Sequence, residues 1–319
     1  MRLLKRCPIC KHLNITNLTL QGTEYSCCNN CGLVFRNPFP EKNEDPNLFG
    51  DASDFYLREE INDEKIAKEI KANISRVELI RKHDILGSYK SVLDVGCGLG
   101  FFVKAAMEEG YEAFGMEISE KMVEFCKSRL NIPVYFCTYD EFNQKVNDLD
   151  KFDVITIFHT LEHIRNQKDF LLFANGTLSP GGLLVIEIPY IFGFESLLNG
   201  EKWEGLSPTH LFYHTPNSLQ ILLNENNFRV MEVSFSISNF YYNNCHSYVA
   251  KFFRDRRKID PLAQIFTGTS MTVIAQKTEK TRKQILNRVK LKIYGNPLLN
   301  RVKFKIYDRR LKLGCMKLI

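Results

Sequence analysis

Two pairs of cysteines stand near the start of the 319-residue chain, in the pattern C-x2-C…C-x2-C. Four thiolates at this spacing are typical of a tetrahedral zinc site, which leaves no open position for a reaction. We therefore predict a structural zinc ion held by Cys7, Cys10, Cys28 and Cys31. Cys27 could replace Cys28, but only Cys28 keeps the two-residue spacing to Cys31.

A glycine loop lies farther along, in the stretch VLDVGCGLGFF at residues 92–102. A dinucleotide-binding fingerprint requires a third glycine where this chain has Phe101, and the Lys-Ser/Thr pair of a phosphate-binding P-loop does not follow. Asp94 ends the apolar run before the loop. Because its carboxylate repels phosphate and attracts cations, the loop favours a positively charged ligand.

The motif D-V-G-C-G-L-G resembles the first motif of the class I S-adenosylmethionine-dependent methyltransferases. The resemblance covers residues 70–190 well. It implies that the backbone of Gly96, Cys97 and Gly98 curls against the methionine part of S-adenosylmethionine and that Asp94 lies near its ammonium group. Gly100 completes the glycine part of this expected cofactor site.

The same resemblance implies cofactor contacts at the ends of the next strands. Glu117 stands where the family has an acid that accepts hydrogen bonds from both ribose hydroxyls, and two carboxylate oxygens match two adjacent hydroxyls. Ile118 follows it in the expected site. The other expected contacts, near adenine and near the methionine end respectively, are Thr138 with Tyr139 and Phe158 with His159.

The cysteine module resembles the N-terminal zinc module of bacterial methyltransferases from sugar and surface-polysaccharide pathways, and the run CGLVFRNPFP is typical of that group. The resemblance implies a small-molecule or glycan substrate. Zinc ribbons also bind nucleic acid, but this one lacks a basic stripe with interleaved aromatic residues. We therefore expect the acceptor not to be nucleic acid.

The segment 190–216 is long and aromatic and contains the only Trp, so we expect it to form a lid over the acceptor. Nucleotide-sugar C-methyltransferases have a Glu-His pair before a Tyr-Ser/Thr step here. SPTHLFYHTP resembles this pattern at His210, but Thr209 replaces the Glu. A hydroxyl acceptor is therefore preferred to a carbon, with His210 as the base. A purely structural role for His210, or a base role for His214, stays open.

The turn HTLEHI at residues 159–164 holds three side chains that could bind a metal or move protons. In the resembling family this turn follows the fourth strand, and its Glu-His pair mostly packs and hydrogen-bonds. We therefore expect only His159 to face the cofactor, as a second catalytic candidate.

Four parts are predicted along the chain: a zinc ribbon at 1–40, a linker and helix at 41–84, the methyltransferase domain at 85–276, and a basic tail at 277–319. Strands alternate with helices in the domain, which predicts an α/β fold, a doubly wound Rossmann-like sheet with parallel pairing. The strands are expected at 91–95, 111–118, 133–137, 152–158, 183–189, 229–237 and 270–277. The helices are expected at 58–83, 101–110, 120–130, 140–146, 166–178 and 215–228. SPGG at 179–182 is predicted to be a turn.

The net charge of +6 is unevenly distributed. The tail carries fourteen Lys/Arg and two acidic residues, so the rest of the chain is acidic overall. Such a tail could touch an anionic membrane, or it could be a solvated or packed face. We find neither a secretion signal nor a transmembrane segment, and we expect a cytoplasmic protein.

Three functions from different classes remain open. The preferred one is methyl transfer from S-adenosylmethionine to a hydroxyl, or a carbon, of a sugar, nucleotide sugar or lipid-linked glycan. The second is an RNA or protein methyltransferase that uses the zinc ribbon to hold its substrate. The third is a non-catalytic subunit that binds S-adenosylmethionine.

Overall fold

The computed structural model describes residues 1–41, 57, 61–84, 86–142, 151–203, 205–236 and 269–279. Most of the predicted linker, the second half of the predicted helix at 140–146, and the basic tail beyond residue 279 lie outside the described residues.

The described residues form eleven strands and six α-helices, numbered in chain order. The strands are β1 (Ile15–Leu20), β2 (Thr23–Cys28), β3 (Val34–Arg36), β4 (Ser91–Val95), β5 (Glu112–Glu117), β6 (Val134–Phe136), β7 (Phe152–Phe158), β8 (Leu178–Pro189), β9 (Phe212–Tyr213), β10 (Phe228–Ser236) and β11 (Ser270–Lys277). The helices are α1 (Asp63–His83), α2 (Phe101–Glu108), α3 (Glu120–Phe125), α4 (Gln167–Thr177), α5 (Phe194–Asn199) and α6 (Pro216–Glu225). A π-helical turn, Cys126–Leu130, continues α3, and a short 3-10 helix, Leu161–His163, follows β7.

The larger sheet has seven strands in the order β10-β11-β8-β7-β4-β5-β6. Strands β8, β7, β4, β5 and β6 pair in parallel, as predicted. From β4 the chain builds outward through β5 and β6 on one side, and then returns to add β7 and β8 on the other. Ligands of doubly wound sheets bind at such a reversal, outside the carboxyl ends of the strands.

Two predictions about this sheet are wrong. Strand β11 runs antiparallel to both β8 and β10, so the sheet is mixed. A buried apolar run such as SMTVIA fits either direction, and the sequence pattern does not distinguish them. The predicted SPGG turn lies inside β8, where the pairing jumps from Leu178 to Leu183 and the intervening residues bulge out. Gly181 permits this excursion with a φ of +75°.

Both faces of the large sheet are covered. One buried cluster joins the apolar sides of α1, α2 and α3 to the sheet, with Val77, Val103 and Val123 among its members. The other face packs against α4 and α6, and its cluster continues without a break into the cysteine module through Leu33 and Phe35. Among the described helices, none combines the length and the apolar character needed to cross a membrane.

The cysteine module forms a four-stranded antiparallel sheet in the order β1-β2-β3-β9. Its last strand comes from the segment predicted as a lid, because Phe35 pairs with Phe212 and Val34 with Tyr213. The hydroxyl of Thr215 also donates to the Cys31 carbonyl over 2.6 Å. The end of segment 190–216 is thus built into the sheet of the cysteine module.

Local sequence explains the two helices that frame the site. Asn62 accepts a hydrogen bond from the Lys65 amide and caps α1, which begins at Asp63, whereas the periodicity indicated a start at residue 58. Thr215 begins α6 with a reciprocal capping box to Ser218 and with Pro216 in its first turn. Helix α1 packs against the parallel strands, and α6 begins shortly after β9.

Candidate active site

Three glycines turn the loop after β4 through left-handed backbone: Gly96 (φ +72°), Gly98 (φ +54°) and Gly100 (φ +75°). A side chain at Gly96 would collide with Thr160, and one at Gly100 with Ile132. A Cβ at Gly98, by contrast, would meet nothing within 4 Å. The loop is therefore packed at both ends and open in the middle, where a ligand can approach the backbone closely.

Glu117 ends β5 beside this loop and is 8% exposed. Its Oε2 accepts a hydrogen bond from the Gly98 amide over 2.9 Å. Its Oε1 accepts from the amides of Ile118 and Ser119 over 2.7 and 3.0 Å. A carboxylate has about four acceptor positions, so Oε2 retains capacity for a ligand hydroxyl.

Asp94 is the penultimate residue of β4 and is 3% exposed. Thr156 on the neighbouring strand donates its hydroxyl to Asp94 Oδ1 over 2.6 Å. Burial raises the pKa of Asp94 to about 7, although the Thr156 hydrogen bond and the charge of Arg76 oppose the increase. A cation beside this carboxyl would favour its ionised form.

Arg76 reaches from α1 to Glu187, which lies near the carboxyl end of the apolar strand β8. Its Nη2 and Nε donate to the two carboxylate oxygens over 2.8 and 3.2 Å. His159 Nε2 lies 3.0 Å from the same Glu187 Oε1. Burial alone would raise the pKa of Glu187, but Arg76 and His159 hold it well below its usual range. The half-buried Arg76 and the buried Glu187 therefore form an ion pair that orients His159.

His159 directly follows β7 with a φ of +51°, and its side chain is about a third exposed. Burial by itself would lower the pKa of His159, but the hydrogen bond and the charge of Glu187 outweigh this and raise the pKa overall. The Arg76 guanidinium lies over the ring of the preceding residue, Phe158, 4.3 Å from the ring centroid. Both predicted residues thus lie at the β7 carboxyl end, in contact with Arg76 or its ion-pair partner.

The two residues expected near adenine, Thr138 and Tyr139, have different surroundings in the structure. Thr138 is exposed after β6 and its amide donates to Glu141. Tyr139 instead packs edge-on against Phe170 of α4, with ring centroids 5.7 Å apart. Burial raises the pKa of Tyr139 to about 12. The Tyr139 ring is therefore part of the packing on α4, and its expected adenine contact stays a prediction.

A second polar cluster lies between the turn after β7 and the strand β9. The rings of His163 and His210 meet edge to face, with centroids 4.8 Å apart. Glu162 is 1% exposed, and its Oε1 lies 3.8 Å from His159 Nδ1. His210 Nδ1 lies 3.2 Å from the Tyr213 hydroxyl. The two predicted catalytic histidines, His159 and His210, are therefore linked through Glu162 and His163.

The electrostatics of this cluster differ from residue to residue. Burial holds the pKa of His210 well below its ordinary value, and the nearby His163 and His159 act in the same direction. Burial raises the pKa of Glu162, although His163 and His159 oppose this. His214 is fully buried between Gln167 and Ser218, which indicates a structural role. His210 is thus a neutral imidazole at pH 7.

The four predicted zinc ligands come together at one end of the small sheet. The Sγ atoms of Cys7 and Cys31 lie 3.6 Å apart, and those of Cys10 and Cys28 lie 3.4 Å apart. Sulfur atoms about 2.3 Å from a zinc ion lie about 3.8 Å apart in a tetrahedron, so the donor set fits zinc. Cys27 lies outside this group and packs in a separate apolar cluster.

Sequence reasoning missed Arg76, Glu187 and Glu162 as members of the site. Glu187 carried a signal, because an acid inside the apolar run LLVIEIP requires a partner when it is buried. Arg76 is the one of the three with no comparable signal, since its partner is 111 residues away. For Glu162 the sequence predicts a packing role, whereas its carboxylate lies beside His159.

The chain matches the family model described as a methyltransferase domain over residues 62–233, which is more than half of its length. It is 34% identical over 100 residues to the ubiquinone biosynthesis O-methyltransferase of Coxiella burnetii (strain Dugway 5J108-111), covering 30% of this chain and 42% of that protein. The corresponding protein of Histophilus somni (strain 2336) is 31% identical over 119 residues, covering 35% and 50%. The chain thus spans half or less of the length of these curated relatives.

A crystal structure of a SAM-dependent methyltransferase from Archaeoglobus fulgidus superposes with a TM-score of 0.47 at 25% identity, covering 65% of this chain and 94% of that one. The family match spans α1 through β10 and includes the glycine loop, Glu117 and the Arg76–Glu187 pair. The chain therefore belongs to the methyltransferase-domain family and carries a class I S-adenosylmethionine-dependent methyltransferase domain.

Proposed function

We propose that the protein transfers a methyl group from S-adenosylmethionine to a hydroxyl of a small molecule, preferably a sugar, a nucleotide sugar or a lipid-linked glycan. When bound, S-adenosylmethionine supplies an electrophilic methyl group on a positively charged sulfur. The observation that carries the proposal is that two buried carboxyls, Asp94 near the end of β4 and Glu117 at the end of the neighbouring β5, flank a glycine loop that is open at Gly98. Two buried carboxyls around an accessible backbone suit a ligand with one cationic and one diol end.

The cofactor would be held by the ends of β4, β5 and β7. Asp94 would face the ammonium group, Glu117 the ribose hydroxyls, and the backbone at Gly98 the chain between them. Ile118, which is 53% exposed, offers an apolar surface next to Glu117. His159, fixed by Glu187, would lie at the methionine end.

Transfer to a hydroxyl forms a carbon–oxygen bond, breaks the methyl–sulfur bond and releases the hydroxyl proton. We propose that the cluster of Glu162, His163 and His210 receives the acceptor. His210 would accept the proton as a neutral imidazole, although burial lowers its pKa and so weakens it as a base. His159 is the second candidate base, because the Glu187 carboxylate stabilises the protonated ring that forms when the proton is taken up.

Two classes of acceptor are supported by different observations. The relatives named ubiquinone biosynthesis O-methyltransferases favour transfer to oxygen, and they make a phenolic hydroxyl the second candidate. The cysteine cluster and the run CGLVFRNPFP support the sugar acceptor. We also propose that the four cysteines hold a structural zinc ion, since their sulfur atoms fit a tetrahedral site.

The test is incubation of the full chain with S-adenosylmethionine labelled on the methyl group and separate pools of sugars, nucleotide sugars, lipid-linked glycans, phenols and RNA. We expect label in a small-molecule pool and none in RNA. Label in RNA alone would contradict the acceptor. Cofactor binding without transfer to any pool would favour the non-catalytic alternative.

A further inference from the structure

We infer that Glu162, His163 and His210 form a second metal site, distinct from the cysteine cluster, for a first-row transition-metal dication such as Zn²⁺, Mn²⁺ or Fe²⁺. One donor atom from each side chain lies within 4.8 Å of the others. To share one ion, these atoms would have to approach it to the usual ligand distances of about 2.0–2.2 Å. Two imidazoles and one carboxylate suit these metals rather than Mg²⁺ or Ca²⁺.

The buried Glu162 carboxylate is the main observation that points to a cation. The residue is 1% exposed, and neither Oε1 nor Oε2 has a hydrogen-bond partner on another residue. A buried carboxylate without hydrogen bonds costs several kcal/mol if it is ionised, so such groups are paired or bind metals. The nearest basic atom identified, His159 Nδ1 at 3.8 Å, is too distant for a hydrogen bond. The Glu162 oxygens therefore lack a ligand that a dication would supply.

The hydrogen bonds of His163 leave one nitrogen available. Its Nδ1 lies 3.2 Å from the Thr209 carbonyl oxygen, which can only accept, so Nδ1 carries the hydrogen. In the neutral ring Nε2 then has a lone pair. Histidines that bind metals usually donate their other N–H to a carbonyl or carboxylate in this way.

His210 has a similar arrangement. Its Nδ1 lies 3.2 Å from the Tyr213 hydroxyl, whose oxygen also accepts from the Ser207 amide over 3.0 Å. The ring also hydrogen-bonds to the Gly205 carbonyl, which can only accept. With the hydrogen assigned to Nδ1, Nε2 of His210 has the lone pair. Tyr213 belongs to β9, which pairs with the cysteine module, so that module holds His210 in place.

Three protein ligands leave coordination positions open, as in catalytic rather than structural metal sites. The role of those positions rests on the proposed function. An acceptor hydroxyl bound there would release its proton to solvent water more readily, because a dication lowers the pKa of a bound hydroxyl. His210 would then act as a ligand and not as the base, since its Nε2 cannot do both.

The experiment compares the metal content of the full-length wild-type protein with that of Glu162→Gln, His210→Gln and the control His83→Gln. His83 lies at the end of α1, outside the cluster. Each protein is dialysed, loaded with Zn²⁺, Mn²⁺ or Co²⁺ and measured by mass spectrometry. Cobalt bound by cysteines shows thiolate charge-transfer absorption, and cobalt bound by Glu162 and the histidines does not, so the two sites are resolved.

We expect the wild type and His83→Gln to bind one metal ion without thiolate absorption in addition to the one at the cysteines. Glu162→Gln and His210→Gln should bind that additional ion at least about 100-fold more weakly, while the cysteine site stays filled. A wild type that binds metal at the cysteines alone would overturn the inference, as would an additional ion that both variants retain. S-adenosylmethionine binding, measured on the same samples by calorimetry without acceptor, tests the proposed function separately.

Discussion

The Gly98 amide donates to Glu117 Oε2 over 2.9 Å, which joins the glycine loop after β4 to the acidic end of β5. The bond spans 19 residues of sequence and connects the two elements expected to hold opposite parts of the cofactor. Glu117 therefore stabilises the glycine loop in addition to its expected contact with the ligand. The open space beside Gly98 is maintained by this contact as well as by the absence of a side chain.

Replacing Glu117 by Gln should weaken S-adenosylmethionine binding by about tenfold to a hundredfold, because hydrogen bonds to a charged acceptor are worth about 1.5–3 kcal/mol. The amide would also direct N–H groups at the backbone donors of the loop. Calorimetry with the cofactor measures the loss. Glu120→Gln is the matched control, since Glu120 is exposed on α3 nearby. Equal affinity in the two variants would contradict the ribose contact.

The affinity for S-adenosylmethionine should rise with pH through about 7, where Asp94 ionises. Below this pH the carboxyl is protonated and loses its attraction for the ammonium group. Asp94→Asn should bind weakly and should lose this pH dependence. Binding isotherms between pH 6 and 8 provide the measurement, and an unchanged slope in the variant would assign the titration to another group.

The same variant should stabilise the protein without cofactor at pH 8. The folded-state pKa of Asp94 lies above its unfolded value, so folding favours the protonated form, and this contribution is lost as pH rises through about 7. Asn removes the cost of a buried charge and can still accept from Thr156. The expected gain in unfolding free energy is about 2–4 kcal/mol at pH 8 and much smaller at pH 4. Urea unfolding at both pH values checks it.

The glycine loop and its strands were predictable because the information is local. An acid, three glycines and an apolar run within eleven residues define the turn, and the family resemblance placed Glu117. The four cysteines were likewise evident from spacing. These features depend on neighbours in the sequence, so they can be recognised without the fold.

The features that sequence reasoning missed depend on distant pairs. Strand β9 has two residues, too few for a periodic pattern, and it forms only because β3 offers an edge. The Arg76–Glu187 pair and the direction of β11 likewise follow from packing across the sheet. For the same reason, the expectation of a lid at 190–216 did not include the hydrogen bond between Thr215 and Cys31.

Replacing Arg76 by Met should destabilise the fold by about 3–5 kcal/mol, because Glu187 would remain buried without its main partner. Lys82→Ala is the control on the same helix. Lys82 forms an exposed ion pair with Glu232, and its loss should cost less than about 1 kcal/mol. Denaturant unfolding compares the two. The double variant Arg76→Met/Glu187→Gln should recover part of the loss, and no recovery would indicate that Arg76 acts through packing on Phe158.

Zinc content separates the roles of the adjacent Cys27 and Cys28. Cys28→Ser should lose the ion, because its sulfur belongs to the cluster of four donors. Cys27→Ser should retain it and should lower the free energy of unfolding by about 1–3 kcal/mol, since a hydroxyl would replace a thiol packed near Tyr25 and Trp203. Elemental analysis and thermal unfolding provide the two measurements.

The effect of Cys28→Ser should extend beyond the cysteine module. Leu33 and Phe35 continue the core of the large sheet, and β9 holds His210 through Tyr213. Loss of zinc should therefore lower the midpoint of unfolding for the whole chain in a single transition and should reduce methyl transfer more than cofactor binding. Two separate transitions, with transfer unchanged, would show instead that the module is independent of the site.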